Sequence, residues 1–522
     1  MSRFSFRTTA FQAGVAVTAT AAALVFLTQP DGSSSQPSSS ELSSSELSSP
    51  EPSSPEPSSP EPSSPEPSSP ESEASRGSGT AGVPSPARVA GRQARRPKTR
   101  PAFPGAQGFG TRTPGGRGGR VIFVTTLADS GRGSLRAALN ARGKRIVVFR
   151  VSGTITLQRG LELTRPFVTI AGQSAPGGGI TLRVAPGSGD QALGIYTHDV
   201  VVRHLRVRRG APSGGDGDDA DGIVVYNGED QKVHHVVVDH SSISWAVDEN
   251  LSTYDDARNI TFSWNIVSEG LSNAGHAEGE HSKGVHLSGE RSGRISFHHN
   301  LLAHNMDRNP QPTNPGLADI RNNIVYNYGD NAALTSNSHG RPEFNFIGNW
   351  YIPGRDTDRS EYELDVYEGT DVGWAFYVRG NLGPHRKSNT RPQRAMVSEE
   401  GRSSIVRQAF LTPKTYTTNA KRAYRQVLRG AGATRPVRDA VDRRIVRDVR
   451  RREGRIIDGP GQVGGWPRLP ATRPPADADR DGMPNRWERA HGTRPRVKDA
   501  SRDRDRDGWT NIEEWLNALA RG

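Results

Sequence analysis

The sequence predicts an all-β chain: a right-handed single-stranded parallel β-helix with flanking short helices, followed by a small C-terminal α/loop calcium-binding segment. Three observations predict it. First, short β-rich runs recur at 145–151, 167–171, 180–184, 200–207, 236–244, 259–267, 294–302, 319–326, 343–351 and 373–382. Their starts are mostly about 20 to 36 residues apart, too close for crossover units with full helices, and tight hairpin dipeptides do not join them. Second, an Asn recurs at an equivalent point of the later runs, at Asn265, Asn300, Asn323, Asn349 and Asn381. Flanked by apolar strand residues, such an Asn fits a ladder stacked from coil to coil. A β-sandwich is the competing architecture, but it favours hairpin turns and shows no such recurrence. Third, Asp477-x-Asp479-x-Asp481-Gly482 is followed by Glu488 at the twelfth loop position, and Asp503-x-Asp505-x-Asp507-Gly508 by Glu514. Oxygens at positions 1, 3, 5 and 12 with Gly at 6 are the EF-hand-type calcium loop, here twice in register.

Taken in order, residues 1–30 carry Arg3 and Arg7 and then an apolar stretch over 13–27, the pattern of a secretory signal or an uncleaved N-terminal anchor. Residues 31–100 form a disordered linker. Ser-Ser-Pro-Glu-Pro repeats deny it both core and backbone hydrogen bonds, and a basic run over 88–100 ends it. The β-helix domain is expected over 101–470 and the paired calcium loops over 471–522. Near the end of the β domain, 421–428 reads as a helix. A second, opened by Pro436, carries Val437, Val441, Ile445 and Val449 at helical spacing and is suited to covering exposed strand edges.

Composition narrows the chemistry. Cysteine is absent, which excludes disulfides, thiolate metal sites and a Cys nucleophile. Only 33% of residues are apolar and the mean hydropathy is −0.67, in keeping with an unpacked portion. The net charge is +12; residues 31–75 contribute −9, so the body over 101–522 is itself strongly basic. A basic body suits a polyanion, either nucleic acid or an acidic polysaccharide. No basic-aromatic platform accompanies the charge, which argues against nucleic acid.

Two acid clusters, Asp216/Asp218/Asp219/Asp221 and Asp248/Glu249, bracket the run 236–244. Converging carboxylates need a cation or a proton to coexist, and hard oxygen ligands point to calcium rather than zinc. Taken alone, the clusters are equally consistent with a solvated acidic loop.

Several segments resemble bacterial pectate lyases: 102–110 (AFPGAQGFG), the Gly115–Gly119 run, 124–136 (VTTLADSGRGSLR), Asp239-His240 with 245–249 (WAVDE), 297–300 (FHHN), 307–310 (DRNP) and 464–467 (GGWP). The resemblance spans about 102–470. It implies a secreted, calcium-dependent parallel β-helix lyase cleaving polygalacturonate by elimination, acting as a monomer on an acidic polysaccharide. By similarity, Asp219, Asp221 and Asp248 are calcium ligands, Arg308 is the base, and Lys283 pairs with the substrate. Two positions depart from the family pattern. Ser244 stands where a ligand Glu is usual, with Glu249 offered as a compensating ligand. Thr313 stands where a second Arg is usual, with Arg321 or Arg341 as its replacement. His240, His298 and His299 read as stacked coil residues. The calcium loops resemble dockerin-like or thrombospondin-type repeats, structural or interactive rather than catalytic.

Rival readings are hydrolysis of the same polymer, elimination on pectin or another uronate, and a β-helix that only binds acidic glycan at a cell surface. The Asn-Thr-Asp, Gly-His-Gly and Arg-Ile-Lys patterns expected of the hydrolase are missing.

Overall fold

A computed structural model describes residues 100–521, apart from 215–216, 229–231, 290–292, 338–339 and 368–372. The N-terminal signal or anchor, the linker and Asp216 lie outside these residues. No helix among the described residues is long and apolar enough to cross a membrane.

The chain winds through three parallel sheets, here called A, B and C, visiting each once per coil. Sheet A has ten strands, from Arg120–Val124 to Ala375–Arg379; sheet B has eight, from Gly153–Leu157 to Trp350–Ile352. Sheet C has six, from Leu161–Leu163 to Gln311–Pro312, and the pair Ala333–Thr335 and Leu364–Val366 follows it. Each strand pairs in parallel with its counterpart one coil away, as in Val236↔Ile260↔Ile295 on sheet A. The arrangement is the expected parallel β-helix, with coils about 4.8 Å apart.

Alternation dictates what each coil buries. In the sheet B triplets Ile266–Ser268 and Leu301–Ala303, the central Val267 and Leu302 point into the helix interior, while Ile266, Leu301 and Ala303 point outward. Inside, like residues stack on like; the rings of Phe344 and Phe376 lie 5.1 Å apart. The Asn ladder forms at the corner from sheet A to sheet B. Asn265 donates its backbone and side-chain N–H groups to Asn300 Oδ1 at 2.9 and 3.1 Å. Asn300 does the same to Asn323, Asn323 to Asn349, and Asn349 to Asn381. The preceding residue turns the corner in the left-handed region, at His240, Trp264, His299 and Asn322 and then at Gly348 and Gly380.

Several β-rich runs prove to be two strands of different sheets. The run 236–244 comprises most of His234–Asp239 in sheet A and all of Ser242–Ser244 in sheet B, split by the His240-Ser241 corner. The sheet C strands were not among the expected runs.

Among the described residues five α-helices flank the coils: α1 (Leu135–Leu139), α2 (Ala420–Gly430), α3 (Ala440–Arg451), α4 (Asn485–His491) and α5 (Asn511–Arg521). α2 and α3 cover the outward face of sheet B rather than strand edges; Ala423, Val427, Ile445 and Val449 pack on Ile266, Leu301 and Ile324. Pro436 does not open α3. Asp439 caps it, accepting from the Asp442 N–H at 2.9 Å, so the helix starts at Ala440 and Val437 stays 43% exposed in the preceding turn. Asp439 and Asp442 also hold the buried Arg208 of sheet B at 3.0 and 2.8 Å.

The C-terminal segment packs against the outer face of sheet A. Met483, Ile512, Trp515 and Leu516 bury against Ile146, Val148 and Ala171. The apolar face of α5 is therefore occupied by its own chain.

Candidate active site

The expected site residues gather at the corner where sheet B hands over to sheet C. Parallel register builds this corner. Ile223 pairs with Leu251, which sets Asp221 opposite Glu249; Glu249 pairs with Lys283, and Lys283 bridges to Asp307. Four successive coils thus present Asp221, Glu249, Lys283 and Asp307 one above another. The two acid clusters converge because they lie one coil apart, not because they flank a common strand. Asp221, Asp248 and Glu249 each bring a carboxylate oxygen to within 4.8 Å of the others.

Glu249 is fully buried and ion-paired with Arg308, whose side chain reaches back across the coil of Lys283. Tyr254 Oη donates to the other Glu249 oxygen at 2.7 Å, and the Glu249 N–H donates to Asp221 Oδ1 at 2.7 Å. His281 Nε2 lies 2.8 Å from Asp248 Oδ1. Lys283 Nζ donates to Asp307 Oδ2 at 3.0 Å. Asp219 is exposed beside the group, its backbone carbonyl accepting from the Asp221 N–H at 2.9 Å.

Burial, with Asp248 and Asp219 nearby, pushes the Asp221 carboxyl well above the ordinary carboxylate range. Burial likewise draws Arg308 below the ordinary guanidinium range, against the opposing pull of Asp248 and Asp221. The Glu249 ion pair likewise favours the charged guanidinium. The Asp221, Asp248 and Glu249 donors are all hard carboxylate oxygens, which fits calcium, while His276 and His281 form a second group with Asp248.

Arg321 does not join this corner. It ends a sheet A strand beside the Asn ladder, where its Nε donates to Asp319 Oδ1 at 2.6 Å. Arg341 is exposed, just before the sheet A strand Glu343–Ile347. Ser244 faces sheet B's outer side and accepts from Arg208 at 2.7 Å, so it belongs to the anchorage of α3 rather than to the acid group. Thr313 does adjoin the site through His286, whose Nε2 is 3.1 Å from Thr313 Oγ1 and whose Nδ1 is 3.7 Å from Glu249. Tyr254, His281, His286 and Asp307 were missed as site residues. The coil register that reveals them appears only once the sheet C strands are located. As expected, His240 and His299 stack on Trp264, with ring centroids 5.7 and 4.5 Å away, while His298 turns edge-on to His299. A cavity of about 190 Å³ beside His240, lined also by Phe103, Gln107 and Arg203, lies on sheet A away from the acid group.

The C-terminal acids form a separate group. Asp477, Asp479 and Asp481 bring oxygens within 4.8 Å of one another, as do Asp481, Glu488 and Asp499. Burial and the neighbouring acids push Glu488 and Glu514 up to about 7 and Asp479 to about 6. The second loop repeats the first 26 residues later. Gly482 donates to Asp477 at 3.1 Å and Gly508 to Asp503 at 2.9 Å; Met483 and Trp509 donate to Asp481 and Asp507. Asp503 and Asp505 are exposed.

Comparison with known proteins gives consistent relatives. The chain is 35% identical over 425 residues to a probable pectate lyase C of Neosartorya fischeri, covering 80% of this chain and 93% of that protein. It is 34% identical over 425 residues to the Aspergillus flavus protein of the same description, covering 80% and 94%. Among solved structures, the major allergen from cedar pollen matches with TM-score 0.46 at 18% identity, covering 63% of this chain and 92% of that one. The pectate lyase of Bacillus sp. N165 in complex with trigalacturonate matches with TM-score 0.41 at 16% identity, covering 63% and 98%. No family model matches the chain.

Proposed function

This chain belongs to the pectate lyase family, and on that premise we propose that it cleaves α-1,4-polygalacturonate by calcium-dependent β-elimination at the sheet B to sheet C corner, yielding 4,5-unsaturated oligogalacturonides. The observation that carries this reading is the half-buried Arg308 guanidinium, held by buried Glu249 against Asp221 and Asp248, with Lys283 on the adjoining coil.

Elimination removes the C5 proton beside the uronate carboxylate, breaks the C4–O bond and leaves the electron pair as a C4=C5 double bond. Asp219, Asp221 and Asp248 would hold calcium, with Glu249 adjoining them. When bound, calcium neutralises the uronate carboxylate and stabilises the enolate-like charge that develops as the proton leaves. Arg308 takes the C5 proton, and its partial burial favours the neutral form that a base requires. Lys283, oriented by Asp307, presents its ammonium to the substrate carboxylate. Tyr254 and His281 are positioning residues that fix the Glu249 and Asp248 carboxylates. Solvent returns a proton to the leaving oxygen.

We further infer that the enzyme is exported and acts as a monomer. The support for export is the Arg3/Arg7 and apolar 13–27 pattern, followed by a Ser/Pro/Glu tract able to tether the body to a cell surface.

The test is ultraviolet absorbance of purified protein mixed with polygalacturonate, first with calcium and then with excess chelator. Absorbance that rises with calcium and stops with chelator is the expected outcome. New reducing ends without absorbance would mean hydrolysis, and the absence of both signals would refute the enzymatic reading.

A further inference from the structure

The C-terminal loops are not used by the elimination. They lie on sheet A over Val121, Ile146, Val148 and Ala171, whereas the lyase residues lie at the sheet B to sheet C corner. Glu488 is 0% exposed, and neither of its carboxylate oxygens has a hydrogen-bond partner among the described residues. Glu488 is aimed into the acid group, with an oxygen within 4.8 Å of Asp481 and Asp499 oxygens. A buried ionised carboxylate without counter-charge does not persist; it takes up a proton or a cation. Oxygens at loop positions 1, 3, 5 and 12, with Gly482 at φ 106 in the sixth, fit a cation.

The loop is also pressed onto the β-helix. Arg150 Nη1 donates to Asp477 Oδ2 at 3.2 Å, and a Cβ on Gly482 would meet Val121 at 2.9 Å. Farther along, Arg117 pairs with Glu513 at 2.9 Å and Arg203 donates to Asn517 at 3.3 Å. The first loop thus touches the β-helix directly, and α5, after the second loop, docks through Glu513 and Asn517.

We propose that Asp477, Asp479, Asp481 and Glu488 bind a hard divalent cation, calcium by their chemistry, and that this ion clamps the C-terminal helices onto the outer face of sheet A. The clamp is independent of catalysis, and its failure leaves the lyase reading untouched.

The test uses the full-length chain carrying Asp221→Asn, so that calcium effects at the lyase corner are suppressed, with and without Glu488→Gln. Thermal unfolding and protease cleavage within 471–522 are followed as calcium is titrated after chelator treatment. Calcium is expected to protect 471–522 and raise the unfolding temperature of the Asp221→Asn protein. Adding Glu488→Gln should raise the calcium concentration needed at least tenfold. In chelator the order should reverse, the Gln protein being as stable as its parent or more so, because an unneutralised buried carboxylate has been removed. Equal destabilisation by Glu488→Gln with and without calcium would overturn the clamp, as would a 471–522 segment indifferent to calcium in both proteins. If Glu488→Gln does not fold, Asp479→Asn is read by the same criteria.

Discussion

Replacing Asn300 by Leu tests whether the amide ladder holds the coils together. Asn300 Oδ1 accepts two hydrogen bonds, from the Asn265 backbone N–H at 2.9 Å and its side-chain N–H at 3.1 Å, and all three groups are fully buried. Leucine matches asparagine in side-chain branching but is bulkier, and it leaves both donors unsatisfied. At about 1–3 kcal/mol for each orphaned group, the expected loss is about 2–6 kcal/mol. That is a large part of the roughly 5–15 kcal/mol that stabilises a typical native domain. Equilibrium urea denaturation, followed by circular dichroism and tryptophan fluorescence, gives the measurement. A double variant with Asn265→Leu should cost less than the sum of the two single changes, because one orphaned donor disappears with Asn265. A loss under about 1 kcal/mol for Asn300→Leu, or strict additivity in the double variant, would refute the reasoning.

Arg308→Ala should lower kcat about 10²- to 10⁴-fold, the range for loss of a general base, and also lower the unfolding temperature, because buried Glu249 loses its ion pair; near-parental turnover by the folded protein would dismiss Arg308 as the base. Asp221→Asn should raise the calcium needed for half-maximal activity about tenfold or more, equivalent to about 1.4 kcal/mol, and an unchanged requirement would remove Asp221 from the ligand set. His299 and His304 should lower stability on acidification below about pH 6.5. They are opposed by Glu488, Glu514 and Asp479, whose raised carboxyls take up protons in the folded state, so the histidine contribution is read as the difference between the parent and His304→Gln. Burial holds His299 down to about 3 and His304 to about 4, so in that window the unfolded chain binds protons that the folded chain refuses. Each contributes a slope of about 1.4 kcal/mol per pH unit. Urea midpoints measured from pH 7 to pH 4 check this, and a profile that His304→Gln leaves unaltered would count against it.

The ladder was legible because it reduces to one residue type at a fixed recurrence, which needs no knowledge of the third dimension. Sheet C was not. Glu249–Tyr254 and Lys283–Leu287 mix charged and polar residues with few apolar ones, and Gln311–Pro312 is only a dipeptide. Their apolar residues, Leu251, Val285 and Leu287, look isolated until the coil closes over them. Because these strands escaped notice, the partners of Asp248 and Glu249 escaped too. Arg321 was misjudged for a related reason. Its proximity in sequence to Arg308 says nothing about which corner it occupies, and 13 residues are enough to move from one corner of the triangular coil to another. The two departures at Ser244 and Thr313 also separate once positions are known, one serving the attachment of α3 and the other adjoining the site.

The corners of each coil differ in how much variation they tolerate. From sheet A to sheet B the chain takes two residues, as at 240–241, 264–265, 299–300 and 322–323, with the amide stack fixing their number. From sheet B to sheet C it takes four residues at 245–248 but fourteen at 269–282. The lyase residues sit on or directly after these unequal connections. Insertions there can reshape what the enzyme grips without disturbing the interior stack, so substrate preference and thermal endurance are separately adjustable in this architecture.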